Sequence, residues 1–221
     1  MLFARAWIWF FLVLALPLHA ACAQQEIPPP AGKGPVVVVV SGQKGAGYYL
    51  APAQAIAAMG YDVVLLDANT LTGTHGQALH DAVVQAQTSP NGEPGKVAVV
   101  GFSLGGGLAL AYASQWPDLV RGIVAWYPLT SIIADPAAFV TKVKVPVLMF
   151  AGAQDTYKNC CLIAQANALA AAAAAAGAPL TVVTYPSAGH DFIMSGSDYD
   201  ATAAPDSFAR AQAALAGYFC K

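Results

Sequence analysis

The sequence predicts a three-layer α/β fold, with a mainly parallel sheet of about six strands and helices on both faces. Three observations carry this expectation. Short valine-rich runs without in/out alternation recur along the chain, as strands buried on both faces require. Helical stretches separate these runs one by one. The run Val97–Val100 passes through Gly101-Phe102-Ser103-Leu104-Gly105 straight into an Ala/Leu-rich stretch, which reads as strand, tight turn and helix.

Residues 1–23 read as a targeting segment outside the fold. Arg5 precedes an apolar run, Ala6–Leu18, and Ala21-Cys22-Ala23 fits a small-residue cleavage site that leaves Gln24 first. The run is short for a span of about 20 residues, and Pro17 interrupts it. A membrane anchor and a lipid-modified Cys22 are the alternatives; His19, three before that cysteine, disfavours the second. The chain is therefore expected to be exported, periplasmic or secreted, with no stable membrane span after processing. Residues 24–35, polar and then proline-rich, read as an exposed leader to a single domain over 36–221.

Within that domain Val36–Val40 is the first strand, and the loop Ser41–Gly47 follows it. Leu50–Met59 reads as a helix closed by Gly60. Val63–Leu66 is the second strand and Thr72–Gln87 a helix. Asn91–Gly95 is a turn cluster. The third strand and a helix over Leu108–Ser114 flank the Gly-rich turn. The fourth strand lies within Leu119–Tyr127, ended by Pro128. Asp135–Val140 reads as a short helix and Val145–Ala151 as the fifth strand. Cys161–Ala176 is a helix whose alanine run needs only alanine's high helix propensity. Leu180–Tyr185 is the sixth strand and Pro205–Phe219 the last helix. No long insertion breaks this order, so no large lid is expected.

The 221 residues are 57% hydrophobic and only 10% charged, with net charge −2; the absence of any basic run argues against nucleic acid as a partner. There is no H-x-x-x-H or C-x-x-C pair, so no metal and no cofactor are expected.

Chemistry concentrates in three loops, each after a strand and so at one edge of the sheet. The glycine-flanked turn lifts the Ser103 hydroxyl above the sheet as a nucleophile. Gly152-Ala153-Gln154-Asp155 follows the fifth strand and Ser187–Phe192 the sixth. Ser103, Asp155 and His190 thus occur in the order of a nucleophile, acid, base triad. His190 takes the Ser103 proton, and Asp155 fixes the imidazole tautomer and stabilises its charged form. Asp135 and Asp191 are rival acids. His19, His75 and His80 are expected to have no catalytic role. The oxyanion hole needs two backbone N–H groups: Leu104 supplies one, and the α/β-hydrolases that this strand, turn and helix resemble take the other from the loop after the first strand, here Gly42 or Gln43. Tyr127 and Phe192 are candidates to line an apolar pocket.

Gly101–Gly106, Gly152–Asp155 and Ala188-Gly189-His190-Asp191-Phe192 resemble the dienelactone hydrolase family of the α/β-hydrolases, from about Val36 to the C-terminus. The resemblance implies an α/β-hydrolase fold and hydrolysis of a small ester. The family's namesake enzymes carry cysteine in the elbow, where this chain has Ser103. They hold a substrate carboxylate with arginines, one of them at the position of Met194, whereas Arg121 and Arg210 here belong to elements remote from the elbow. The expected activity is cleavage of a small, neutral or modestly charged carboxylic ester or thioester through an acyl-enzyme; a non-catalytic binding protein and a peptidase are the rival readings.

Cys160 and Cys161 open a helix at the catalytic edge, and Cys220 ends a helix running away from it. A helix of about 15 residues spans about 20 Å, while bridged Cα atoms lie within about 7 Å, so no bridge to Cys220 is expected. The adjacent pair is read as reduced and buried, with a vicinal disulfide as the alternative.

Overall fold

A computed structural model describes residues 24–220. Among these described residues seven strands and six α-helices occur, alternating from the second strand on: β1 (Gln24–Ile27), β2 (Val36–Val40), α1 (Leu50–Ala57), β3 (Asp62–Leu66), α2 (Gln77–Ala86), β4 (Val97–Phe102), α3 (Leu104–Ala111), β5 (Val120–Trp126), α4 (Pro136–Val140), β6 (Val147–Gly152), α5 (Ile163–Ala176), β7 (Leu180–Tyr185) and α6 (Ala203–Phe219). They form one sheet of order β1-β3-β2-β4-β5-β6-β7, parallel except for β1, which runs antiparallel to β3.

The β-branched composition of β2 explains its place inside the sheet: all five valines are fully packed, alternate ones facing opposite layers. Val36, Val38 and Val40 belong to the buried cluster on one face of the sheet, with Leu79 and Val83 of α2, Leu110 of α3 and Leu169 of α5. Val37 and Val39 belong to the buried cluster on the other face, with Tyr49 just before α1, Ile56 of α1 and Leu215 of α6. The three layers follow from this two-sided burial. Among the described residues no helix is long and apolar enough to cross a membrane.

Two expectations are corrected here. The leader does not wholly precede the domain: Gln24–Ile27 pairs with Leu66–Val63 as an edge strand, so the sheet has seven strands among the described residues. The strand has only Ile27 as an apolar residue, so its sequence carries no buried-strand signal; backbone hydrogen bonds to β3 hold it. The helix after the Gly-rich turn begins at Leu104, not Leu108, because Gly105, Gly106 and Gly107 are themselves helical and buried. The segment expected to be removed on export lies outside the described residues, as do His19 and Cys22.

From β2 the chain moves to β3 on one side, then to β4 on the other. The carboxyl ends of β2 and β4 therefore diverge into a crevice at this switch of direction, the place where open α/β sheets bind ligands.

Candidate active site

Ser103 stands at that crevice. Its backbone has φ 49° and ψ −112°, in a region that side-chain-bearing residues seldom occupy. Neighbouring backbone over-determines this conformation. Ser103 N–H donates to the Trp126 carbonyl (3.0 Å), and the Ser103 carbonyl accepts from Gly107 (2.9 Å) and Leu129 (2.8 Å). Gly105 N–H donates to the Ser41 carbonyl at 3.0 Å. A methyl group on Gly105 would run into the Val40 and Ser41 carbonyls, and one on Gly101 into the Gly106 backbone at 2.6 Å. The two glycines are thus required by close approach, as the turn's spacing suggests.

The loops after β6 and β7 bring the acid and the base. His190 Nδ1 donates to Asp155 Oδ2 at 2.7 Å, and the Ser103 hydroxyl donates to His190 Nε2 at 3.0 Å. The tautomer follows from the carboxylate, which only accepts. The other Asp155 oxygen accepts the Tyr157 N–H at 3.0 Å. The Asp155 side chain is fully enclosed, and that of His190 is 9% exposed. The imidazole lies between two rings: Tyr157 stacks on it nearly parallel (4.5 Å, 10°), and Tyr127 packs against it at 4.9 Å and 59°.

A second polar cluster adjoins the first. Buried Asp191 accepts from Lys44 Nζ at 2.8 Å and from the Tyr49 hydroxyl at 2.9 Å. Hydrogen bonding to Asp191 holds the Lys44 ammonium well above its ordinary range despite some burial. Burial, then the charge of Asp191, pushes the Tyr49 phenol far up. Gln43, Lys44, Tyr49, Ser103, Tyr157, His190 and Asp191 line one narrow crevice, which opens beside a polar hollow of about 480 Å³ that also borders Tyr157 and His190.

The structure therefore brings Ser103, Asp155 and His190 together and assigns the rival acids elsewhere. Asp135 caps α4 by accepting the Ala138 N–H at 3.0 Å, and Asp191 faces Lys44 and Tyr49. His80 is half-buried beside Asp81 and Trp116, and His75 is exposed in a loop. Of the two oxyanion alternatives, Gln43 borders the crevice, whereas Gly42 is packed against the Tyr49 ring. Leu104 is the first residue of α3, so its N–H belongs to a helix start, where negative charge is favoured. Tyr127 and Phe192 are enclosed in the core rather than exposed at the crevice. Their ring centroids are 5.4 Å apart; Tyr127 packs against the imidazole, and Phe192 packs behind Tyr127. Strand-end position marked them as near the site, but only packing decides which face of a loop is enclosed.

The cysteine expectation is also corrected. Cys160 and Cys161 form a vicinal disulfide; Cys220 is exposed and unbridged, as expected. Both sulfurs and a His190 ring nitrogen lie within 4.8 Å of one another. With the sulfurs bonded to each other and His190 held by Asp155 and Ser103, this group offers no free ligand set for a metal in the oxidised form.

Tyr157, Lys44, Tyr49 and Lys158 were not singled out from sequence. All lie in or just after the loops following β2 and β6, so their proximity to Ser103 was the available signal.

The family model of the dienelactone hydrolases matches residues 64–219, most of the chain. The chain belongs to the dienelactone hydrolase family. Among solved structures, the "Putative Dienelactone Hydrolase from Klebsiella pneumoniae subsp. pneumoniae MGH 78578" superposes with TM-score 0.75 at 22% identity, covering 87% of this chain and 92% of that one. Esterase 2 of Thermogutta terrifontis with butyrate bound gives TM-score 0.66 at 16% identity over 89% of both chains. These likenesses fix the α/β-hydrolase fold on which the family is built. By sequence, the "Putative carbamate hydrolase RutD" of Escherichia coli (strain UTI89 / UPEC) is 32% identical over 121 residues, 49% of this chain and 42% of that protein. This dienelactone hydrolase family member thus spans less than half the length of the curated relatives it matches.

Proposed function

We propose that this chain is an exported serine hydrolase that cleaves a small carboxylic ester or thioester through Ser103, His190 and Asp155. The observation that carries the reading is the unbroken hydrogen-bond chain from Asp155 through His190 to Ser103, on a serine held at a strained turn. His190 Nε2 accepts the hydroxyl proton as Ser103 Oγ attacks the substrate carbonyl. The imidazolium that forms is stabilised by enclosed Asp155. The Leu104 and Gln43 N–H groups meet the oxyanion. His190 then returns the proton to the departing alcohol or thiol, and a water, deprotonated by the same imidazole, releases the acyl group.

Membership of an ester-hydrolysing family supports the reaction class. The butyrate bound to T. terrifontis esterase 2, a protein of the same fold, supports a short acyl group. The formed Cys160–Cys161 disulfide is in keeping with export to an oxidising compartment.

Purified wild-type protein is expected to hydrolyse p-nitrophenyl acetate and butyrate and to be labelled once by a serine-directed phosphonate. Ser103→Ala is expected to lose the label and at least about 1,000-fold in kcat while keeping its circular dichroism spectrum. Near wild-type turnover by Ser103→Ala removes the assignment. A marked preference for long acyl chains removes the small-ester reading.

A further inference from the structure

The vicinal disulfide plays no part in the chemistry above, yet it abuts the imidazole. Both of its sulfurs lie within 4.8 Å of a His190 ring nitrogen. The segment from Asp155 to Cys161 is also the one that grips that ring. Asp155 Oδ2 holds Nδ1, Tyr157 stacks on the ring face, and the Tyr157 N–H holds the second Asp155 oxygen. Lys158 reaches across the crevice to Gln43 Oε1 at 3.1 Å.

Between Tyr157 and the disulfide lie two consecutive non-glycine residues in the left-handed region, Lys158 (φ 48°) and Asn159 (φ 54°). Such residues persist only where their surroundings over-determine them. Their surroundings are a tight turn, Cys160 N–H to the Tyr157 carbonyl (2.9 Å), an anchor, Ser131 N–H to the Cys160 carbonyl (2.9 Å), and the covalent ring itself. Access is one-sided. Cys161 is buried at 5% exposure, whereas Cys160 is half-buried and borders a surface hollow of about 280 Å³ with Ser131, Ile133, Asn159, Leu162 and Gln165.

We propose that Cys160–Cys161 is a thiol-exchange site: closed, it positions Tyr157 and Asp155 against His190; opened by a dithiol reductant, it lowers turnover. A thiolate of the reductant attacks Cys160 Sγ from the hollow. The Cys160–Cys161 bond breaks, and its electron pair leaves with Cys161, which takes up a proton. The reductant's second thiol loses its proton and displaces Cys160, which is protonated in turn. Two electrons and two protons pass to the protein, and the reductant departs as a disulfide. With the ring open, Lys158 and Asn159 relax toward right-handed backbone, and Tyr157 moves off the imidazole. Cys160 and Cys161 are positioning residues, since they touch no reacting atom. This inference rests on the proposed ester hydrolysis for its kinetic readout, and a second readout is independent of it.

The test uses full-length Cys22→Ser/Cys220→Ser protein, whose two remaining cysteines are Cys160 and Cys161, in two forms: reduced with dithiothreitol, and oxidised with trans-4,5-dihydroxy-1,2-dithiane. Alkylation and mass spectrometry establish each state. The readouts are kcat and KM for p-nitrophenyl butyrate, and the downfield NMR signal of the His190 Nδ1 proton shared with Asp155. A misplacement of about 1 Å near reacting groups can cost about 100-fold. Opening is therefore expected to lower kcat at least about tenfold while changing KM less than about threefold. It is also expected to shift or broaden the Nδ1 signal, and reoxidation restores both. Cys160→Ser/Cys161→Ser is expected to match the reduced form and to ignore both reagents. An opened ring with an unchanged Nδ1 signal overturns the inference, whatever the ester result. So does loss of the folded circular dichroism spectrum on opening, which makes the ring a structural staple alone. If neither form hydrolyses esters but the signal responds, the inference stands and the ester reading falls.

Discussion

At the scale of single residues, three aspartates near the catalytic edge take three different roles, and this separation is testable. Asp155 is enclosed and divides its oxygens between His190 and Tyr157. Asp155→Asn forces the wrong imidazole tautomer, so kcat for a short ester is expected to fall about 1,000- to 10,000-fold. Asp135 only caps α4, and asparagine caps as well, so Asp135→Asn is expected to stay within about threefold of wild type. Asp191→Asn weakens the Lys44 pair and leaves a buried side chain among donors. It is expected to lower stability by about 1–3 kcal/mol in denaturant titration, with a smaller kinetic loss than Asp155→Asn. A larger kinetic loss for Asp191→Asn would exchange their roles.

At the scale of elements, the site depends on how closely β2, β4 and α3 approach. Gly105 has no room for a side chain, because its Cβ would meet the carbonyl oxygens at the end of β2. Gly105→Ala must push α3 away from the sheet, and Ser103 with it. The expected result is a loss of about 1–3 kcal/mol of stability together with a kcat deficit that cooling does not restore. On the opposite face, β5 and α6 are tied by the Trp126 indole N–H donating to Ser207 Oγ at 3.0 Å, both groups fully buried. Ser207→Ala orphans that donor and is expected to lower stability by about 1–3 kcal/mol with kcat unchanged. These two variants separate what holds the sheet together from what shapes the turn.

At the scale of the whole molecule, aromatic packing ties the core to pH. Tyr49, Phe102, Trp126 and Phe150 form a run of rings with successive centroids 5.0–5.3 Å apart beneath the site. Tyr49, Tyr127 and Tyr218 carry phenols whose burial raises their pKa values well above the ordinary range. Below about pH 10 these phenols are neutral whether the chain is folded or not, and their full contribution to stability is present. Above it, the unfolded chain releases protons that the folded protein retains. Stability is therefore lost as pH rises, at up to about 1.4 kcal/mol per pH unit for each such tyrosine. Thermal unfolding followed from pH 8 to 11.5 is expected to show a flat Tm and then a steep fall. A Tm unchanged to pH 11.5 would mean that these phenols are not held neutral.

The layered fold, six of the seven strands and the three loops that carry Ser103, Asp155 and His190 are legible in the sequence. Runs such as Val36–Val40 can be buried only in a two-sided sheet, and glycines at 101 and 105 permit only close backbone approach. These are local signals, readable within a few residues. Tertiary structure alone decided the rest. Gln24–Ile27 is a strand because β3 offers it an open edge, not because its residues prefer one. Tyr127 and Phe192 proved to be core because enclosure depends on both sides of the sheet, which strand-end position does not report. Asp191 faces Lys44, 147 residues away, and Tyr157 faces His190. Cys160 and Cys161 are adjacent in sequence whether bonded or free, and the loop conformation that closes the ring depends on contacts with Ser131 and Gln43. Pairings of this kind have no periodicity and no fixed spacing, since they arise only when loops from distant strands meet at one edge.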